Sequence, residues 1–195
     1  MRTTAKQFFG CMLAAITVAA FAAGETRPVN RQAEVFKEFS DRVKKYAELQ
    51  KSLEKKLPHL PDKTDAAAIS AHEVALANLI RTARANARPG DIFLPDVQPL
   101  FRRIIRANFK GTSGRARMKT TREGNPKLEG NPAGIQVKVN ALYPSNEPMS
   151  TMPPGLLLNL PPLPEEVTYR FVGRDLILRD SKAALIVDFI REVTP

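Results

Sequence analysis

Apolar positions along this chain change their period twice, and each change marks an expected element. From Arg31 to Leu57, Phe36, Phe39, Val43, Tyr46, Leu53 and Leu57 fall at spacings of three, four and seven, with Lys and Glu between them. That is a helix with one oily stripe, interrupted at Gln50. Pro58 and Pro61 stop it, since proline has no amide hydrogen to donate and restricts the residue before it. Thr64 or Asp65 caps a second helix running to about Ala87, with Ile69, Leu76, Ile80 and Ala83 on its inner side. So short a connection favours an antiparallel hairpin, in which Ala77 and Ala83 permit close approach. A third helix is expected from near Asp96 to Gly111, with Pro99 in its first turn. Leu100, Phe101, Ile104 and Ile105 form its buried face, and Arg102, Arg103 and Arg106 its outer one.

From Ile135 the period becomes two. Ile135, Val137 and Val139 alternate with Gln136, Lys138 and Asn140, the pattern of a half-buried strand. Pro144 to Pro164 interrupts it. Within that passage Pro153-Pro154 opens a short helix carrying Leu156, Leu157, Leu158 and Leu160, which Pro161 and Pro162 end. We expect these leucines to form a lid over a sheet; Leu160 to Pro164 as a polyproline ligand is the alternative. Strands follow at Val167 to Val172 and Leu176 to Arg179. With Gly173-Arg174 as a two-residue turn, Phe171 faces Leu176, Tyr169 faces Leu178 and Arg170 faces Ile177. Asp180-Ser181-Lys182 makes a further turn, and Ala183 to Val187 a strand covered on both faces. The expected fold class is α+β: an N-terminal helical hairpin plus third helix, then a small antiparallel β-sheet with a Pro/Leu-rich cover.

The segment between these halves has neither period. Gly111 to Gly134 holds half of the ten glycines and a duplicated tetrapeptide, Glu123-Gly124-Asn125-Pro126 and Glu129-Gly130-Asn131-Pro132. Few apolar groups are available there to offset the entropy of ordering, so a flexible linker with two turns is expected. The implied division is a leader over 1–23, a helical region over 24–111, a basic linker over 112–134 and a sheet region over 135–195.

The C-terminal string Tyr143-Pro144, Glu147-Pro148, Met152-Pro153-Pro154, Leu160-Pro161, Tyr169 to Leu178 and Ile186-Val187-Asp188 resembles the tail of an uncharacterised family of exported bacterial proteins of the acidobacterial type. The resemblance extends over most of the chain after the leader. It implies a bacterial envelope setting and carries no activity, catalytic residue or ligand residue with it.

The N-terminus agrees with export. Arg2 and Lys6 precede an uncharged run from Phe8 to Ala23, ending in the small-x-small site Ala20-Phe21-Ala22. This reads as a cleavable signal peptide, an uncleaved signal-anchor being the alternative, and the expected location is periplasmic or extracellular. The single cysteine, Cys11, lies inside the leader, so the exported chain is cysteine-free, without disulfide or thiolate metal site.

Charge then singles out one stretch. Of 30 Lys and Arg, Arg2 and Lys6 belong to the leader, which leaves 28 against 20 Asp and Glu. Eight of those 28 lie between Arg102 and Arg122, where no acid occurs: Arg102, Arg103, Arg106, Lys110, Arg115, Arg117, Lys119 and Arg122. The rest of the chain balances, so the whole surplus is assigned to these candidate anion-binding residues, with Arg81, Arg84 and Arg88 near them in sequence. Anionic lipid headgroups, acidic glycans and acidic protein are the expected partners. Thr112 to Arg122 contains no aromatic residue to stack on bases, which argues against nucleic acid.

Catalytic chemistry has weaker anchors. His72-Glu73 begins like a zinc-protease motif, but Leu76 stands where the second histidine would, and the only other histidine, His59, lies in a Pro-flanked loop. No metal or cofactor is therefore expected. Lys110-Gly111-Thr112-Ser113-Gly114 follows a helix instead of preceding one, unlike a phosphate loop. Asp175, Asp180 and Asp188 share one meander, and Asp175 and Asp180 suit turns beside Arg170, Arg174 and Arg179. We expect no catalytic residue, and read the protein as an exported envelope binding or scaffold protein without catalytic activity. The alternative is an envelope hydrolase, with at least two of Asp175, Asp180, Asp188 and Glu147 in a pocket with an arginine clamp. Self-association through the first helix is a third alternative, and oligomeric state is not fixed by sequence.

Overall fold

The computed structural model describes residues 30–61, 64–125, 135–144 and 147–194. The expected leader with Cys11, and the second copy of the duplicated tetrapeptide, lie outside the described residues. Among those that are described, five helices and three strands give an α+β fold. No helix among them is long and apolar enough to cross a membrane.

Helix α1 spans Arg31–Glu54 and is capped by Asn30, whose side-chain oxygen accepts from the Ala33 amide at 3.4 Å. Phe39, Val43, Tyr46, Ala47, Gln50 and Leu53 form its buried stripe. Helix α2, Ala66–Ala83, is capped by Asp65, which accepts from the Ala68 amide at 2.7 Å, and buries Leu76, Ala77 and Ile80 against α1. These two form the expected hairpin. Helix α3, Gln98–Asn108, buries Phe101 and Ile105. Phe101 sits 5.0 Å from Phe39, 5.1 Å from Phe93 and 5.9 Å from Tyr169, centroid to centroid, which ties α1, the loop before α3 and the sheet into one aromatic knot.

The sheet has strand order β1-β2-β3, all antiparallel, with β1 at Val167–Val172, β2 at Asp175–Asp180 and β3 at Ile186–Ile190. Phe171 pairs with Leu176, Tyr169 with Leu178 and Arg170 with Ile177, the register that the Gly173-Arg174 turn predicts. One face carries Tyr169, Phe171, Leu176 and Leu178 into the core shared with the helices. The other collects Val172, Ile177, Ile186 and Phe189 over Ile135, Val137 and Tyr143. Burial on both faces explains the apolar run from Ala183 to Val187, but the strand itself is shifted to Ile186–Ile190, with Ala183 and Ala184 in the turn before it and Asp188 inside it. Short helix α5, Pro154–Leu157, precedes β1, with Leu156 and Leu160 in the core, whereas Leu158 is 88% exposed. The lid is thus formed by only part of the leucine run.

Two further expectations fail. Ile135 to Val139 is not a strand, although Ile135 and Val137 do point inward. The chain turns at Asn140, whose φ is 63°, and from there hydrogen-bonds to the sheet region, through Asn140 N to Ile186 O at 2.8 Å, Tyr143 N to Ala184 O at 2.7 Å and a bridge between Leu142 and Leu185. Alternation reports which side of an extended chain is covered, whether or not a neighbouring strand pairs with it. The second correction concerns the expected linker: its first part, Gly111–Arg122, is helix α4.

Candidate anion-binding site

The basic segment is built by the corner between α3 and α4. Phe101, Ile105 and Phe109 anchor the inner side of α3, which turns Arg103 and Arg106 outward. Lys110 is extended and Gly111 is left-handed at φ 72°, a combination that reverses the chain without strain because glycine has no Cβ. Helix α4 then lies so close to the end of α3 that a Cβ at Gly114 would overlap the Phe109 carbonyl. Met118 packs against the core and Thr121 is buried, continuing the Gly114 side at helical spacing. Asn125 closes the corner by exchanging two hydrogen bonds with Gly173, at 2.9 Å and 2.7 Å. This helix is held by one glycine, one methionine, one threonine and a side-chain clasp, which together do not read as an apolar stripe.

Arg115, Lys119 and Arg122 recur at spacings of four and three on α4, and all are exposed. Lys119 and Arg122 in the last turn complement the helix dipole; Arg115 is too far from that end to gain from it. Arg117 folds back so that Nε donates to Asn108 O at 3.0 Å, with Nη2 on the same carbonyl. Arg103 donates to Gln32 at 2.8 Å, Arg102 to the Arg191 carbonyl, and Arg115 to Thr112 at 3.3 Å. Arg106, Lys110, Lys119 and Arg122 have no side-chain hydrogen bond to another described residue. Among the described residues, none of the eight reaches a carboxylate within ion-pair distance, although six ion pairs form elsewhere. Arg81 and Arg84, adjacent in sequence, do not join the group. They donate to Asn140 and Val187 at 3.1 Å and tie α2 to the sheet region.

The carboxylates of the meander behave differently. Asp188 is fully buried and accepts from the amides of Gly90 at 3.0 Å and of Ile92, Phe93 and Phe189 at 2.8 Å. Asp180, also fully buried, accepts from the Tyr46 hydroxyl at 2.7 Å and from the Lys182 and Ala183 amides at 2.8 Å and 2.6 Å. Burial and the neighbouring Asp180 charge push the Tyr46 phenol well above its ordinary pKa. Asp175 pairs with Arg191 at 2.5 Å and accepts from the Glu192 amide at 3.0 Å. These oxygens are engaged in holding backbone in place. Sequence reasoning placed Asp175 and Asp180 at turns, and the structure adds that Asp188 organises the loop before α3, a long-range contact that no local pattern announces.

His59, in the loop between α1 and α2, and His72 on α2 line one groove of about 490 Å3 with Lys51, Glu54, Lys55 and Lys182. No group of three or more His, Cys, Asp or Glu suited to a metal ion occurs among the described residues. No protein-family model, no curated protein and no solved structure matches the chain.

Proposed function

We propose that this is an exported, non-catalytic binding or scaffold module of the bacterial envelope that engages an anionic envelope surface through the exposed cations of α3 and α4. The carrying observation is the absence of any described carboxylate at ion-pair distance from Arg102, Arg103, Arg106, Lys110, Arg115, Arg117, Lys119 and Arg122. Cations that a fold does not neutralise keep their field for a partner, each adding about 1 kcal/mol near an acidic lipid surface. The leader-like N-terminus and the C-terminal resemblance support the envelope setting. Phe101 and Phe109, the aromatic residues among and beside these cations in sequence, are 0% and 7% exposed and cannot stack on bases, which favours headgroups or acidic glycans over nucleic acid.

Vesicles containing phosphatidylglycerol test this directly. The protein should co-sediment with them at low salt and release as salt rises, while neutral phosphatidylcholine vesicles retain none. Changing Arg106, Arg115, Lys119 and Arg122 together to Gln should abolish retention. Equal retention by that variant would remove the proposal.

A further inference from the structure

The second face of the sheet carries two arginines that the fold leaves without an anion. Thr168 pairs with Arg179 across β1 and β2, and Arg170 pairs with Ile177, so Thr168, Arg170 and Arg179 share one face as immediate and diagonal neighbours. All three are half-buried. Thr168 Oγ1, Arg170 Nε and Arg179 Nε are each shut from solvent and each lack a hydrogen-bond partner. Buried polar atoms are nearly always paired, so three together on one patch indicate a missing partner. Two of the three are charged donors, which makes that partner an acceptor carrying negative charge.

Among the described residues, no carboxylate pairs with either arginine. Arg170 Nη1 donates to its neighbour's carbonyl, Tyr169 O, at 2.9 Å. The Arg179 guanidinium lies over the Tyr143 ring at 5.3 Å, and the Tyr143 hydroxyl donates to Pro148 O. Glu73 on α2 lies near enough to favour the charged form of Arg179, and Glu147 influences Tyr143, yet neither forms an ion pair with Arg170 or Arg179. Burial and Arg170 both disfavour the Arg179 charge, and Asp180 partly offsets them. Two guanidinium groups on one partly desolvated patch repel, and a bound water relieves neither charge.

We propose that Arg170, Arg179 and Thr168 form a binding site for a phosphate-class oxyanion, either a free ion or the phosphoryl group of a monoester. A dianion balances both guanidiniums, whereas a single carboxylate balances one. The planar Nε and Nη2 edge of arginine matches two oxygens of such an ion, and the threonine hydroxyl donates to a third. Neither arginine is ion-paired, so only the Arg170 bond to Tyr169 O and the Arg179 contact with the Tyr143 ring have to give for that edge to turn toward an ion. This site stands apart from the cations of α3 and α4 and does not depend on the envelope reading.

Inorganic phosphate, titrated calorimetrically into the full chain at constant ionic strength, tests the site, with glycerol 3-phosphate as a second arm. One saturable site is expected. Each of Arg170→Gln and Arg179→Gln should weaken binding about tenfold or more, the loss expected for a charge-assisted hydrogen bond. Glu73→Gln should tighten it, because it removes the competing carboxylate beside Arg179. Equal affinity for the two probes assigns the free ion, and tighter binding of glycerol 3-phosphate assigns an ester. If Arg179→Gln does not fold, Arg170→Gln and Glu73→Gln still give opposite shifts. No saturable binding, or binding unchanged in these variants but lost when Arg106, Arg115, Lys119 and Arg122 become Gln, overturns the proposal.

Discussion

Charge is used in opposite ways in the sheet and in the α3-α4 corner. In the sheet, Asp180 and Asp188 are fully buried, and their oxygens gather amides from segments far apart in sequence. In the corner, cations stand on exposed helix faces and bond, where they bond at all, to neutral oxygens. A buried carboxylate is tolerated only because several donors converge on it, so removing it leaves those donors stranded. An exposed lysine or arginine makes no such demand. The first use specifies the fold, and the second leaves a surface free for something else.

The strongest way to break that contrast is Asp188→Ala. The substitution strands four amides, three of them in the loop that delivers Phe93 to the aromatic knot. A loss of about 3–5 kcal/mol is expected in urea denaturation, by analogy with removing one partner from a buried charged network. A loss below about 1 kcal/mol would mean that water replaces the carboxylate and that the sheet does not depend on its inward charges.

Gly114→Ala sharpens the other side of the comparison. The new methyl meets the Phe109 carbonyl, so α4 must move away from α3 or unwind. Overpacking of this kind costs about 1–3 kcal/mol, and here it should be local. Hydrogen exchange should show faster exchange across Gly111–Arg122 with β1 to β3 unchanged. Protection of α4 equal to that of the parent chain would show that the corner is not built on close approach.

The two regions also differ in how much their residues reveal. The β1-β2 register was legible down to the pairs, because alternation and a two-residue Gly173-Arg174 turn leave one arrangement that keeps Tyr169 and Phe171 on the oily side. Helices α1 to α3 were legible from their apolar stripes, and α2 also from its Asp65 cap. Helix α4 was not, since its buried positions are Gly114 and Thr121, and hydrophobic periodicity cannot register a glycine that matters for its smallness. The signal that was available is steric: glycine three residues after Gly111, in a segment that must pass close to the end of α3. Of the candidate site, the acid-free cluster of cations from Arg102 to Arg122 was readable as charge imbalance. The burial of Phe109 beside them, and the Arg170-Arg179 pair across two strands, required the register and the packing.

The smallest expected effect concerns a cation that does have a partner. Lys51 reaches the nearly buried Glu166 at 3.0 Å, with 57% of the lysine side chain exposed. Burial alone would raise the Glu166 pKa, but the hydrogen bond from Lys51, the residue's own amide and the charges of Lys51 and Lys182 outweigh it, and the folded-state value falls below the ordinary one. A carboxyl depressed in this way adds stability above its unfolded pKa and loses that contribution as pH falls through the folded value. Glu166→Gln should therefore be less stable than the parent at pH 7 by less than about 1 kcal/mol, since solvent screens the lysine, and the gap should close towards pH 3. Lys119→Gln, on α4 and without an acidic partner, should show no comparable pH-dependent gap. A Lys119→Gln gap as large as that of Glu166→Gln, closing over the same acid range, would show that the corner's cations are coupled to carboxylates after all, and the division between inward and outward charge would fail.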